Sequence, residues 1–310
     1  MAPRLAVPSP APVAAAVTSP ATQKAAALLA ANQPAEALEL LARLLQDHPA
    51  DANILAMAGL AAYHSDHATQ AARYWEASLA LRDDPRIRAL LDRARRETSG
   101  DTSTRQLTGI RFQFRYDTQD ITADQARQLL LVLDSEFTRV SQQLGCRAEE
   151  RITAIMQSAD AYRRTTGAAE WSAGLYDGRI RVALLEPSPG EETRQSFSHE
   201  IVHACLARTG SWPAWLHEGL AQHLSGRRPG QQERALVAAM IQAKALPTLE
   251  EMGGGWSRMS AAHAQAAYAT SLSAIDLLFA RLGHAGVRNL LQSPDRLPQV
   301  SRQLDQWLRE

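Results

Sequence analysis

The chain has 310 residues, 45% of them hydrophobic, and its 33 basic residues balance 33 acidic ones. That length holds two ordinary domains or one with an appendage, and the apolar fraction excludes wholesale disorder. The even charge excludes a basic, phosphate-gripping face and a polybasic membrane attachment, and no apolar run reaches the roughly 18 residues of a membrane-spanning helix.

Residues 1–22 are Ala/Pro-rich and nearly uncharged. Arg4 followed by apolar and small residues resembles an export signal, but prolines at 8, 10 and 12 interrupt any hydrophobic helix. The segment therefore reads as a disordered tail or linker.

Residues 23–98 carry Ala and Leu at helical spacing, and they repeat. Ala35 to Pro49 aligns with Thr69 to Asp83, so that Ala37 and Ala71 stand 34 residues apart, as do Leu41 and Trp75. Gly59 falls where one helix must approach its neighbour closely. This period resembles the tetratricopeptide repeat over about two units. The chain departs from that pattern at Leu44 and Ser78, where Ala is usual, and at Asp83, with Pro85 two residues late. A plain pair of helical hairpins is the alternative and uses the same packing. Either way the module implies a surface for a protein partner.

Residues 96–107 are polar, contain Gly100 and mark a boundary. Beyond it, Gly109 to Asp117 alternates as a strand. Ala126, Leu129, Leu130, Leu133, Phe137, Val140 and Leu144 define one face of a long helix that Gly145 ends. Arg151 to Gln157 is a second strand, and a short helix follows it. Gly174 to Leu185 reads as a hairpin or edge strand turning at Asp177-Gly178. From Glu192 onward the chain is helical with short breaks. Strands followed by helices give an α+β class for residues 105–310, preceded by the all-α module.

The histidines are unevenly placed, with His199, His203, His217 and His223 falling within 25 residues. His199-Glu200-x-x-His203 puts two imidazoles four apart on one helical face, where both reach a single ion. Catalytic zinc takes three protein ligands and keeps a position open. Glu218 lies 15 residues after His203 on a new helix that opens at Pro213, and Gly219 permits close packing there. Two histidines and a glutamate form a hydrolytic zinc set.

HExxH followed by Trp215-Leu216-His217-Glu218-Gly219-Leu220-Ala221 resembles the gluzincin-type zinc metallopeptidases, closest to the peptidase MA-like domains that often follow tetratricopeptide repeats. The resemblance spans roughly 105–285, and its 14-residue ligand gap is shorter than in thermolysin. It implies a zincin-like fold, one Zn2+ held by His199, His203 and Glu218, Glu200 as general base, and a peptide or protein substrate. It also implies that a downstream Tyr or His stabilises the oxyanion, for which Tyr268 is the candidate, and that an edge strand around Arg179 to Leu184 pairs with extended substrate. Arg179 and Arg181 are read there as surface side chains able to attract a substrate carboxylate. The signal-like start and the two cysteines leave both the cytoplasm and the cell envelope open, and the family's habit points to the envelope.

His223 lies about 140° around the helix from Glu218 and is expected beside the ligands or at the surface. His217 is expected to point elsewhere, and Asp276 is a candidate to orient a ligand imidazole. Cys205 should face away from the metal. Cys146 and Cys205 are too few for a disulfide framework or a Cys-only zinc site, and are either two free thiols or one bridge. The alternative function is a non-catalytic assembly protein with a structural zinc. Glu200 argues against it, because a structural site needs no base.

Overall fold

The structure, a computed structural model, describes residues 19–99, 103–168, 172–184, 190–256 and 259–309. It is mostly helical, with one small mixed sheet of five strands among the described residues. No described helix is long and apolar enough to cross a membrane.

Five helices come first: α1 (Pro20–Ala30), α2 (Pro34–Asp47), α3 (Ala52–His64), α4 (Ala68–Leu81) and α5 (Pro85–Thr98). Of the expected tail, residues 1–18 lie outside the described residues. Residues 19–22 are not tail: Ser19 caps α1 and exchanges hydrogen bonds with Thr22. The repeat positions are buried where the period placed them, with Ala37, Ala71, Leu41 and Trp75 fully inside. Gly59 is there because a Cβ would come within 2.8 Å of the Trp75 ring at Cε2. That closeness also lets Trp75 Nε1 donate to the Ala56 carbonyl at 3.2 Å.

The sheet contains β1 (Thr104–Thr108), β2 (Phe112–Asp117), β3 (Ile152–Ser158), β4 (Gly174–Tyr176) and β5 (Ile180–Leu184), in the order β1-β2-β3-β5-β4. β2, β3 and β5 run parallel, and both outer strands are antiparallel to their neighbours. Two expectations are corrected. The polar stretch read as a boundary contains β1, which gains its order from pairing with β2 rather than from apolar burial (Gly100 lies outside the described residues). The strand expected at the edge, β5, is interior, because the hairpin folds back and makes β4 the edge.

Two registers of the sheet face opposite ways. Tyr116, Met156, Val182 and Gly174 align across four strands. Their side lies over α6 (Ala123–Leu144) and α8 (Glu191–Thr209), where Phe114, Met156, Val182, Phe137 and Ile201 share the main core. The next row, Arg115, Ile155, Arg181 and Leu175, points the other way. On that side lie α7 (Ala159–Thr166) and the N-terminal helices. Arg179 and Arg181 are therefore not surface residues: they are 0% and 1% exposed and pair with Glu97 of α5. The face of α3 and α5 bearing Tyr63 and Glu97 is covered by the chain's own sheet, so it is not open to a partner.

After α8 come α9 (Ala214–Leu224), α10 (Gln231–Gln242), α11 (Ala261–Leu291) and α12 (Leu297–Trp307). α11 breaks at Gly283, whose φ of +65° is outside helical geometry.

Candidate metal centre

Two helices and one strand edge build the site. α8 carries His199, Glu200 and His203, and it is held on both sides of them. Just before His199, Ser198 Oγ donates to the Leu224 carbonyl at 3.1 Å, and Arg139 of α6 donates to the same oxygen at 2.8 Å. Toward its end, Cys205 is bonded to Cys146, which follows α6, with Cα atoms 5.5 Å apart. The two cysteines are thus one bridge, and Cys205 does face away from the histidines into the core.

α9 brings Glu218. It packs on α11 at Gly219, where a Cβ would sit 2.6 Å from the Ser271 carbonyl oxygen. Any larger residue would push Glu218 off its line. Gln222 ties the same two helices by donating to the Glu218 and Tyr268 carbonyls, at 3.2 Å each.

The ligand atoms of His199, His203 and Glu218 lie within 4.8 Å of one another, and all three residues are buried. His199 Nε2 is 3.7 Å from one Glu218 oxygen, and His203 Nε2 is 3.7 Å from the other. Those gaps are long for hydrogen bonds. They suit a shared ion, since ligands about 2.0–2.1 Å from tetrahedral zinc stand about 3.3 Å apart. His203 Nε2 and Glu218 Oε2 are buried without hydrogen-bond partners, an expensive state that a cation at the convergence point would relieve.

The electrostatics agree. Burial, then His199 and His217, pushes His203 well below its ordinary range, leaving the neutral ring that a metal would require. Burial, then the Glu200 charge, pushes Glu218 well above the usual carboxylate range against a hydrogen bond from Tyr268. A dication would reverse the Glu218 shift by favouring its anion. The residues present therefore fit a zinc-like ion.

Glu200 is buried and abuts β4. A Cβ on Gly174 would overlap its carboxylate oxygen and lie 2.9 Å from its Cδ. Glycine at the end of the Tyr116–Met156–Val182 row thus makes the space that Glu200 occupies. Behind β4, Tyr162 and Ser172 hydroxyls are 2.9 Å apart, and Ser172 donates to the Gly174 carbonyl at 3.2 Å.

Tyr268 is buried, reaches Glu218 with its hydroxyl and packs edge-on against Trp256. His217 departs from expectation. Its Nδ1 lies 3.3 Å from His203 Nδ1, the rings stack, and burial holds it down to about 4. With a metal on His203 Nε2, its Nδ1 would carry the proton and donate to His217 Nδ1. Spacing along α9 could not reveal this contact, because it is made across to α8. His223 pairs with Asp276 and stacks on Phe279, so neither touches the ligands. Asp276 orients His223 and not a ligand imidazole, a correction that follows from its place two turns beyond Tyr268 on α11.

No protein-family model matches the chain and no curated protein matches it either, so the chemistry of the site rests on its own geometry.

Proposed function

We propose that the chain is a zinc-dependent peptidase, a gluzincin-like domain over 105–310 behind a tetratricopeptide-like module over 23–98. The observation that carries the reading is the buried, partly unsatisfied His199–His203–Glu218 cluster with a second acidic residue, Glu200, on the helix that carries both histidines. A purely structural ion would not call for that extra carboxylate.

A dication in this cluster would supply Lewis acidity to a scissile carbonyl and make a water acidic at neutral pH. Glu200 accepts the proton from the attacking water and passes it to the leaving amine. Tyr268 holds the Glu218 carboxylate and is the candidate donor to the oxyanion that develops. β4, the outer strand of the described sheet beside Glu200, is the element we assign to pairing with an extended peptide.

The test compares wild type with Glu200→Gln on a mixed peptide library, with zinc measured per chain. Cleavage by wild type, and its loss in a variant that still holds zinc, is the expected result. Equal cleavage by both would sink the proposal. His199→Ala and Glu218→Ala should each lose the metal.

A further inference from the structure

The charges buried between the N-terminal helices and the sheet take no part in the reaction above. Burying ion pairs costs desolvation that an apolar contact avoids. What such pairs add is direction, because an arginine fork fixes rotation as well as distance.

The turn and the inner strand of the β4–β5 hairpin are gripped from α3 to α5. Arg179 Nη2 and Arg181 Nη2 donate to Glu97 Oε2 at 2.9 and 2.6 Å. Arg179 Nη1 donates to Asp66 at 2.8 Å, and its guanidinium lies 3.7 Å above the Tyr63 ring. In the turn, Asp177 accepts from Arg181 Nε at 3.2 Å. Gly178, at φ +95°, leaves the space that the His64 ring fills. Burial alone would raise the Glu97 carboxyl, but Arg179, Arg181 and Arg115 outweigh it and hold the group ionised. The outer strand of this hairpin is β4, which places Gly174 against Glu200.

We propose that Glu97 is a positioning residue: through Arg179 and Arg181 it fixes the β4–β5 hairpin so that the β4 edge stands beside Glu200. The N-terminal helices are then part of the substrate-binding apparatus rather than a separate docking module. The consequence for substrate rests on the peptidase reading, whereas the mechanical link does not.

Amide hydrogen exchange on the full wild-type chain tests the link without any turnover. Amides of 180–184 and of α5 around Glu97 should share one opening event. Independent openings overturn the proposal. In Glu97→Gln, exchange across 174–184 should rise by at least ~10-fold while α8 stays protected and zinc content is unchanged. KM for a cleaved library peptide should rise ~10-fold with kcat within ~3-fold. An unaltered hairpin in the folded variant, or a loss in kcat alone, overturns it. If the variant does not fold, the wild-type exchange decides. A wild type that cleaves nothing would sink the peptidase reading and leave the exchange result standing.

Discussion

Gly174→Ala is the sharpest single test of where Glu200 works. The backbone there does not need positive φ, so alanine is tolerated locally. Its Cβ would stand 2.9 Å from Glu200 Cδ, whereas ordinary contact begins near 3.4 Å, and the nearer carboxylate oxygen overlaps outright. Glu200 must therefore retreat by about 0.5–1 Å. A displacement of about 1 Å at a reacting group costs on the order of 100-fold, so kcat should fall by about 10- to 100-fold. That corresponds to about 1.4–2.7 kcal/mol on the barrier. Zinc content and melting temperature should hold, because Glu200 is outside the ligand cluster. The assay is steady-state cleavage alongside metal analysis and thermal unfolding. Full activity in a folded, zinc-loaded Gly174→Ala chain would refute the placement of Glu200 as the base beside β4.

Other outcomes follow from the same geometry. His217→Ala removes the acceptor from His203 Nδ1, and zinc affinity should weaken by about 10- to 100-fold in a chelator competition; unchanged affinity would mean the His203–His217 contact does not matter. The ring nitrogens of His64 are buried without hydrogen-bond partners, and burial holds the ring down to about 4 from 6.5. Between those pH values the unfolded chain binds more protons, so denaturant-measured stability should fall by up to about 3 kcal/mol as pH drops from 6.5 to 4. His64→Leu should flatten that segment, and an identical slope would exclude His64 as its source. The Cys146–Cys205 bridge spans 59 residues, and chain entropy assigns such a loop about 4 kcal/mol. The Cys146→Ala, Cys205→Ala double variant should lose stability of that order in urea unfolding, and a loss under about 1 kcal/mol would contradict the entropic account.

Much of the site was legible because it is local. The i, i+4 histidines and the Glu218-Gly219 pair depend on helix geometry alone, and Leu41 and Trp75 depend on a period that counts residues. What escaped depends on contacts across elements. Arg179 and Arg181 look like surface charges in a short hairpin, and their burial is made tolerable by Glu97 and Asp66, far upstream, together with Asp177 in the turn. β1, with its TRQLT sequence, lacks the apolar alternation that marks a strand, since its order comes from β2. His217 follows no spacing rule, because the crossing of α8 and α9 turns it toward His203. The interior place of β5 was hidden by a hairpin whose fold-back direction its own residues do not specify.

The covering of the sheet's second face by α3 and α5 also bears on how the chain is made. Synthesis runs from the N-terminus, and the helical hairpins, rich in local contacts, form quickly. Tyr63, Asp66 and Glu97 are then already displayed on a folded surface when Arg179 and Arg181 leave the ribosome. The arginines meet their partners at once, and the last strands of the sheet are laid against a template instead of searching for one another in solution.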